Sequence, residues 1–262
     1  MTEGGCGVGS RNGIQAQVVD YWTKRSEDFL QIRRNELADE AAGRWRAALL
    51  RDLPPAPCRV LDAGTGAGFF AVLLAAEGYR VTGIDLTPSM LENAEKLAAQ
   101  CRCSAEFLCM DAGRLAFPDA SFDAVISRNL TWTLPDVRAA YREWLRVLKP
   151  GGILLNFDAC YGKGREQNSR DRSAAIPYGH QGMTADLEIE NQRITKSMPV
   201  YQEERPDWDT AVLESLGASV RRVDREAGKD ILRTWDLAEA PLFSILAEKT
   251  AMRKETDRQG KS

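Results

Sequence analysis

The chain has 262 residues, 44% hydrophobic and 28% charged, with 35 Lys and Arg against 38 Asp and Glu for a net charge of −3. That balance is ordinary for a soluble protein of one or two domains, and it lacks the basic excess that a phosphate backbone demands, so nucleic acid is not expected as a partner. No run of 18 apolar residues is present to span a membrane, and the single histidine, His180, excludes HExxH zinc sites and any site built on two histidines.

Residues 1–13 carry five glycines and no apolar export core, so a disordered tail is expected, with a cytoplasmic setting and reduced thiols. Residues 14–51 read as helix: Ile14, Val18, Tyr21 and Trp22 fall at helical spacing, and Leu37, Ala41, Trp45 and Leu49 repeat every four residues. Pro54 and Pro55 end that region.

From 58 to 159 short apolar runs alternate with helical stretches. Strands are expected at 58–63, 79–86, 105–110, 122–127 and 152–157. Between them, 69–76 suits a helix, and Thr87-Pro88 opens another, with Thr87 as N-cap and a stripe of Met90, Leu91, Ala94, Leu97 and Ala98. Val137, Ala140, Tyr141, Trp144, Leu145 and Leu148 make a strongly amphipathic helix that Pro150-Gly151-Gly152 stops. This alternation predicts an α/β fold with a doubly wound, mostly parallel sheet. Residues 160–204 are polar and read as an irregular insertion over the substrate end of the sheet. A helix over 206–216 and a strand pair at 219–223 and 242–247 follow, and 251–262 are expected to fray. The division is therefore a single domain over 14–250: a helical lid at 14–51, a core at 58–159 and the insertion at 160–204.

The strongest chemical signal is Val60-Leu61-Asp62-Ala63-Gly64-Thr65-Gly66-Ala67-Gly68, between a strand and a helix. Glycines there let the chain turn tightly and let a ligand approach main-chain N–H groups. A dinucleotide fingerprint would place glycine at Phe69, and Asp62 would repel a pyrophosphate, which argues against a dehydrogenase. An acid at that point suits a ligand bearing a cationic amine. Asp85 ends the second strand and is placed to accept ribose hydroxyls. Asp111 ends the third and is placed to accept from an exocyclic amine, with Leu86, Met90 and Ala112 around a flat ring.

With VLDAGTGAGFF, VTGIDLTPSML, MDAGRLAFPDASFDAVISRN and RVLKPGG in order over roughly 58–155, the sequence resembles the class I S-adenosylmethionine-dependent methyltransferases. It is most similar to the ubiquinone/menaquinone-biosynthesis-like small-molecule branch (type 11). The resemblance implies a seven-stranded sheet of order 3-2-1-4-5-7-6 with strand 7 antiparallel. It implies S-adenosylmethionine as cofactor, its methionine part held by Asp62, Gly64, Thr65, Gly66 and Gly68, its ribose by Asp85 and its adenine by Asp111 and Ala112. Tyr21-Trp22-x-x-Arg25 resembles the branch's N-terminal lid, and Ser127, Arg128 and Asn129 end the strand where cofactor and substrate meet.

Asp158, Tyr161 and His180 are the candidate bases, although a loop position for His180 and a cap or substrate contact for Asp158 are the plainer readings. Asn129, Trp132, Asp158 and Tyr161 are the candidate substrate contacts. Trp132, Tyr161, Tyr178 and Trp208 could line an aromatic pocket, with core packing the competing role for Trp208. Arg128 and Arg205 could meet an anionic group or lie on the surface.

The expected function is methyl transfer to nitrogen or oxygen of a small molecule, as monomer or homodimer. The alternatives are a protein or thiol/metalloid methyltransferase drawing on Cys101, Cys103, Cys109 and Cys160, and a non-catalytic cofactor-binding regulator. Cys101, Cys103 and Cys109 otherwise read as small hydrophobes around a strand, and no metal site is expected.

Overall fold

The computed structural model describes residues 8–161, 182–232 and 242–250. Side chains are described from residue 13. His180 and Tyr178 lie outside these residues, as does the 251–262 stretch.

Seven strands form one sheet in the order β3-β2-β1-β4-β5-β7-β6. They are β1 (Arg59–Ala63), β2 (Arg80–Asp85), β3 (Glu106–Cys109), β4 (Phe122–Arg128), β5 (Leu148–Ala159), β6 (Ala218–Asp224) and β7 (Leu242–Lys249). β1 to β5 pair in parallel, and β7 runs antiparallel to both β5 and β6. Parallel neighbours need crossovers, and α3 (Phe69–Ala76), α4 (Pro88–Gln100) and α5 (Val137–Val147) supply them. The central strands are buried on both sides, so they read as continuous apolar runs rather than alternating ones.

Two cores result. On one face Trp45, Phe69, Phe70, Ile126 and Phe157 pack with α2 (Glu40–Asp52) and α3. On the other, Val125, Tyr141, Trp144 and Phe243 pack with α5 and α7 (Asp207–Ser215). Alternation along a strand decides which face a residue serves. Asp62, Arg128 and Phe157 therefore point one way, and Ser127, Asn156 and Asp158 the other.

Three local expectations are corrected. α1 runs from Val8 to Ala38, so residues 8–13, expected in a tail, are helical; the helix carries past Gly9 and Gly13. The 160–204 stretch is not irregular throughout. It contains α6 (Ala185–Ser197), whose N-cap Thr184 accepts from the Leu187 N–H, and a short 3-10 turn at Pro199–Gln202. The periodicity of α6 is weak because only Ile194 in it is fully buried. Thr87 is the N-cap of α4 with Pro88 in the first turn, as expected, without a side-chain cap bond; its own N–H donates to Asp85 Oδ1 at 2.9 Å. β5 begins at Leu148, ahead of the Pro150-Gly151-Gly152 stop, and a register shift in β4 between Phe122 and Ala124 accommodates it. α8 (Ala227–Ile231) is the last of the described helices, and no described helix is long and apolar enough to cross a membrane.

Candidate active site

The site gathers at the carboxyl ends of β1, β2, β4 and β5, where an open parallel sheet leaves a crevice. After β1 the chain turns on Gly64, Gly66 and Gly68, whose φ values are +69°, +53° and +85°. A side chain on Gly64 would place its Cβ 2.7 Å from Leu130 Cδ1, and one on Gly68 would stand 2.9 Å from Ala94 Cβ of α4. Glycine is favoured at both positions by the positive φ, and at Gly68 also by the close approach of α4.

Two acids frame this turn. Asp62 is buried and accepts from Thr65 Oγ1 at 2.7 Å. Burial pushes its carboxyl up to about 7, outweighing the hydrogen bonds from Thr65 and the Ala71 backbone. Asp85 accepts from the Gly66 N–H at 3.0 Å and the Thr87 N–H at 2.9 Å. Desolvation also raises Asp85, against those same backbone donors. Gly83, one turn of the pleat before Asp85, was absent from the expected set. A Cβ there would lie 2.8 Å from Thr65 Oγ1, so the glycine leaves room for the turn to fold back over β2.

Asp111 accepts from Gly113 N–H through Oδ1 at 2.8 Å, and its Oδ2 accepts from Gln15 Nε2 at 2.6 Å. Gln15 was missed because a glutamine in an N-terminal helix carries no local signal of a partner 96 positions away. Met90 and Ala112 are buried and Leu86 is half-buried.

Helix α1 covers the turn. Phe29 Cε1 lies 3.5 Å from where a Gly66 Cβ would stand, and Asn93 of α4 donates to the Ser26 carbonyl at 2.9 Å. Tyr21 is buried, donates to Met183 Sδ at 3.8 Å, and is raised to about 12 by burial. Arg25 is buried beside it and bonds Asp28 at 3.2 Å. Trp22 packs edge-on against Phe29, 5.2 Å between centroids, and against Trp132 at 6.5 Å. Trp132 in turn meets Tyr161 at 5.0 Å. Of the four aromatics expected in a pocket, these two meet. Trp208 is half-buried against the α5-side core.

Three charged residues proposed for ligands are already committed. Arg128 donates twice to Glu36, at 2.8 and 3.1 Å, and stacks 4.1 Å over Trp45. Its guanidinium is therefore turned from the expected ligand onto a buried acid of α1. Arg205 is not on the surface. It is 9% exposed and bonds Asp209 at 2.8 Å. Asp158 is fully buried. It accepts from Thr131 Oγ1, from the Trp132 N–H at 3.2 Å and from the Ala159 N–H at 2.7 Å. Fully buried and turned onto the Thr131–Trp132 turn, it presents no exposed oxygen to a substrate.

Tyr161 stays at the mouth, half-buried. Asn129 takes a left-handed backbone, φ +52°, and donates its N–H to the Phe157 carbonyl at 2.8 Å. Its side-chain oxygen and Ser127 Oγ are buried without a hydrogen-bond partner among the described residues. Such atoms normally find a donor, and a ligand at the ends of β1 and β4 would supply one. Among the described residues no group of three or more Cys, His, Asp or Glu is placed to hold a metal.

The site can thus cradle a ligand with a cationic end at Asp62 and hydroxyls at Asp85, under α1. Residues 61–156 match the family described as a methyltransferase domain. The chain is 38% identical over 134 residues to 2-methyl-6-phytyl-1,4-hydroquinone methyltransferase of Synechocystis sp., a match covering 51% of this chain and 40% of that enzyme. It is 42% identical over 118 residues to demethylmenaquinone methyltransferase of Deinococcus radiodurans, covering 43% and 49%. The chain therefore spans about half the length of these relatives or less. Phosphoethanolamine N-methyltransferase 2 of Haemonchus contortus, solved with S-adenosyl-L-methionine, superposes with a TM-score of 0.57 at 20% identity, covering 79% of this chain and 52% of that one. That likeness shows a shared fold, and the strand order anticipated from the resemblance is the one observed.

Proposed function

Starting from the methyltransferase domain at residues 61–156, we propose that this chain transfers a methyl group from S-adenosylmethionine to nitrogen or oxygen of a small molecule. The observation that carries the reading is the three-glycine turn between Asp62 and Asp85, with Asp85 bonded to the turn's own Gly66 N–H. The donor set fits the cofactor. Asp62 would hold the ammonium of the methionine part, Asp85 the ribose hydroxyls and Asp111 the adenine amine. Gly64, Thr65, Gly66 and Gly68 would give backbone room.

When bound, the cofactor supplies an activated methyl group on a sulfonium. The chain's part is to position and to exclude water. Tyr21, Trp22 and Phe29 of α1 close over the turn, while Trp132 and Tyr161 wall the acceptor side. Holding donor and acceptor in line is worth roughly 7–11 kcal/mol in such reactions. Asn129, through an oxygen without a hydrogen-bond partner among the described residues, would accept from the acceptor's N–H or O–H and turn its lone pair towards the methyl group, the proton released on transfer passing to water. Asp158 is given no part in proton removal, because it is fully buried behind the Thr131–Trp132 turn. We place the protein in the cytoplasm, a reading that the free thiols at Cys58, Cys101, Cys103, Cys109 and Cys160 support.

Isothermal titration tests the cofactor. S-adenosylmethionine is expected to bind in the micromolar range, with Asp85→Ala at least tenfold weaker. Binding no tighter than millimolar would sink the reading. Transfer of label from the cofactor into a metabolite extract then identifies the acceptor.

A further inference from the structure

Behind the Trp132 wall lies a buried chain of polar groups that the chemistry above does not use. Tyr141 of α5 donates to Asp209 Oδ1 of α7 at 2.7 Å and accepts from Asn156 of β5 at 3.1 Å. Asp209 holds Arg205 through two bonds of 2.8 Å, to Nε and Nη2. Arg205 Nη2 also donates to Thr131 Oγ1 at 2.6 Å, and its Nη1 lies 3.5 Å from Asp158 Oδ2. Asp158 Oδ2 then accepts from both Thr131 Oγ1 and the Trp132 N–H. Thr131, Asp158 and Asp209 are fully buried and Arg205 is 9% exposed.

The chain thus ends on the backbone of the residue whose ring meets Tyr161 at 5.0 Å and Trp22 at 6.5 Å. Charge of this kind is costly to bury, and replacing it by apolar side chains is often neutral or stabilising. Its use is therefore sought in what it orients rather than in stability. The arginine's planar fork fixes direction as well as charge, gripping α7 on one side and the Thr131–Trp132 turn on the other. Arg205 also follows directly on the 160–204 stretch, so it ties the exit of that stretch to the floor of the site.

We infer that Asp158 and Arg205 are positioning residues of the acceptor site, fixing the Thr131–Trp132 turn and with it the aromatic wall of Trp132, Tyr161 and Trp22. The inference rests on the methyltransferase reading for what the wall encloses, and on geometry alone for what holds it.

Asp158→Asn is the discriminating change. The amide has one oxygen where the carboxylate has two. Whichever way it turns, its NH2 faces either the Ala159 N–H or the Trp132 N–H and Thr131 hydroxyl. In the full-length chain three quantities are read: S-adenosylhomocysteine affinity, label transfer into a metabolite extract, and the near-ultraviolet circular dichroism of the aromatic cluster. The expected result is affinity within threefold of the parent, transfer reduced at least tenfold, and a changed near-ultraviolet spectrum. In a Trp132→Phe background, Asp158→Asn is expected to leave the spectrum unaltered. Thr131→Val removes only the hydroxyl bridging Asp158 and Arg205, and is expected to lower transfer about threefold if Asp158→Asn does not fold.

Unchanged transfer in a folded variant overturns the inference. So does a fall in S-adenosylhomocysteine affinity parallel to transfer, or a spectral change that persists without Trp132. A parent chain that binds no S-adenosylhomocysteine overturns the methyltransferase reading instead, and the spectral comparison still decides the positioning role.

Discussion

The two faces of the sheet each bury a charged cluster at the carboxyl edge, and the clusters are built with opposite sign. On the α2–α3 face one acid, Glu36, serves two cations, Arg33 and Arg128, and also accepts from Trp45 Nε1 at 2.8 Å. On the α5–α7 face one cation, Arg205, serves two acids, Asp158 and Asp209. The first joins α1 to β4 beside the glycine turn, and the second joins α7 to the turn bearing Trp132. Removing the shared partner and removing one of the outer partners are therefore different experiments. The first leaves two like charges buried together, whereas the second leaves an intact pair.

The largest effect is expected from Glu36→Ala. It removes the buried acid that Arg33 and Arg128 share, and a loss of roughly 3–5 kcal/mol is expected in urea unfolding at neutral pH. If the midpoint barely moves, the cluster is not what pins α1 to the sheet.

Acid titration sharpens the same point. Burial alone would raise the Glu36 carboxyl, but the charges and hydrogen bonds of Arg128 and Arg33 outweigh it and hold it at about 2 against an ordinary 4.5. A depressed folded-state value means stability is present above pH 4.5 and lost as pH falls towards 2, worth roughly 3 kcal/mol in all. Glu36→Gln should remove that portion of the acid dependence, as read from denaturant midpoints across the window.

On the other face Asp158→Ala leaves Arg205 paired with Asp209 and unsatisfies Thr131 and the Trp132 N–H. A smaller loss, roughly 1–3 kcal/mol in the same unfolding measurement, is expected. A loss equal to that of Glu36→Ala would erase the distinction between the clusters.

Asp62 extends the contrast to binding. Its raised value, about 7, means the folded state favours the protonated acid, so this group's contribution to stability is lost as pH rises from 3.8 through 7. A cationic ligand needs the carboxylate. S-adenosylmethionine affinity should therefore tighten between pH 6 and 8, as an estimate of about threefold to tenfold from one titrating group, and Asp62→Asn should flatten the profile. The smallest effect is expected at Gln15. Gln15→Leu frees Asp111 Oδ2, and cofactor affinity should tighten by about twofold to threefold, under 1 kcal/mol. Weaker binding would show that Gln15 supports the ligand rather than competing with it.

The strand–helix alternation and the glycine turn were legible because each depends on local pattern: apolar runs, Pro88 at a helix start, glycines that must adopt positive φ. The α6 helix was not, because its apolar stripe is thin. Asp62, Asp85 and Asp111 could be picked out because each lies at or just beyond the carboxyl end of a recognisable strand. Glu36 and Gln15 could not, since on a long helix they look like any solvated residue until a partner about a hundred positions later gives them a role.

The sequence by itself determined the sheet's alternation, the turn and the acids at its strand ends, since these are set by backbone conformation and side-chain period within a few residues. Only the tertiary structure decided which charges were spent. Arg128, Arg205 and Asp158 carry the chemistry of ligand contacts, yet the fold turns each onto an internal partner, because a buried charge must be paired by whatever the packing brings within reach.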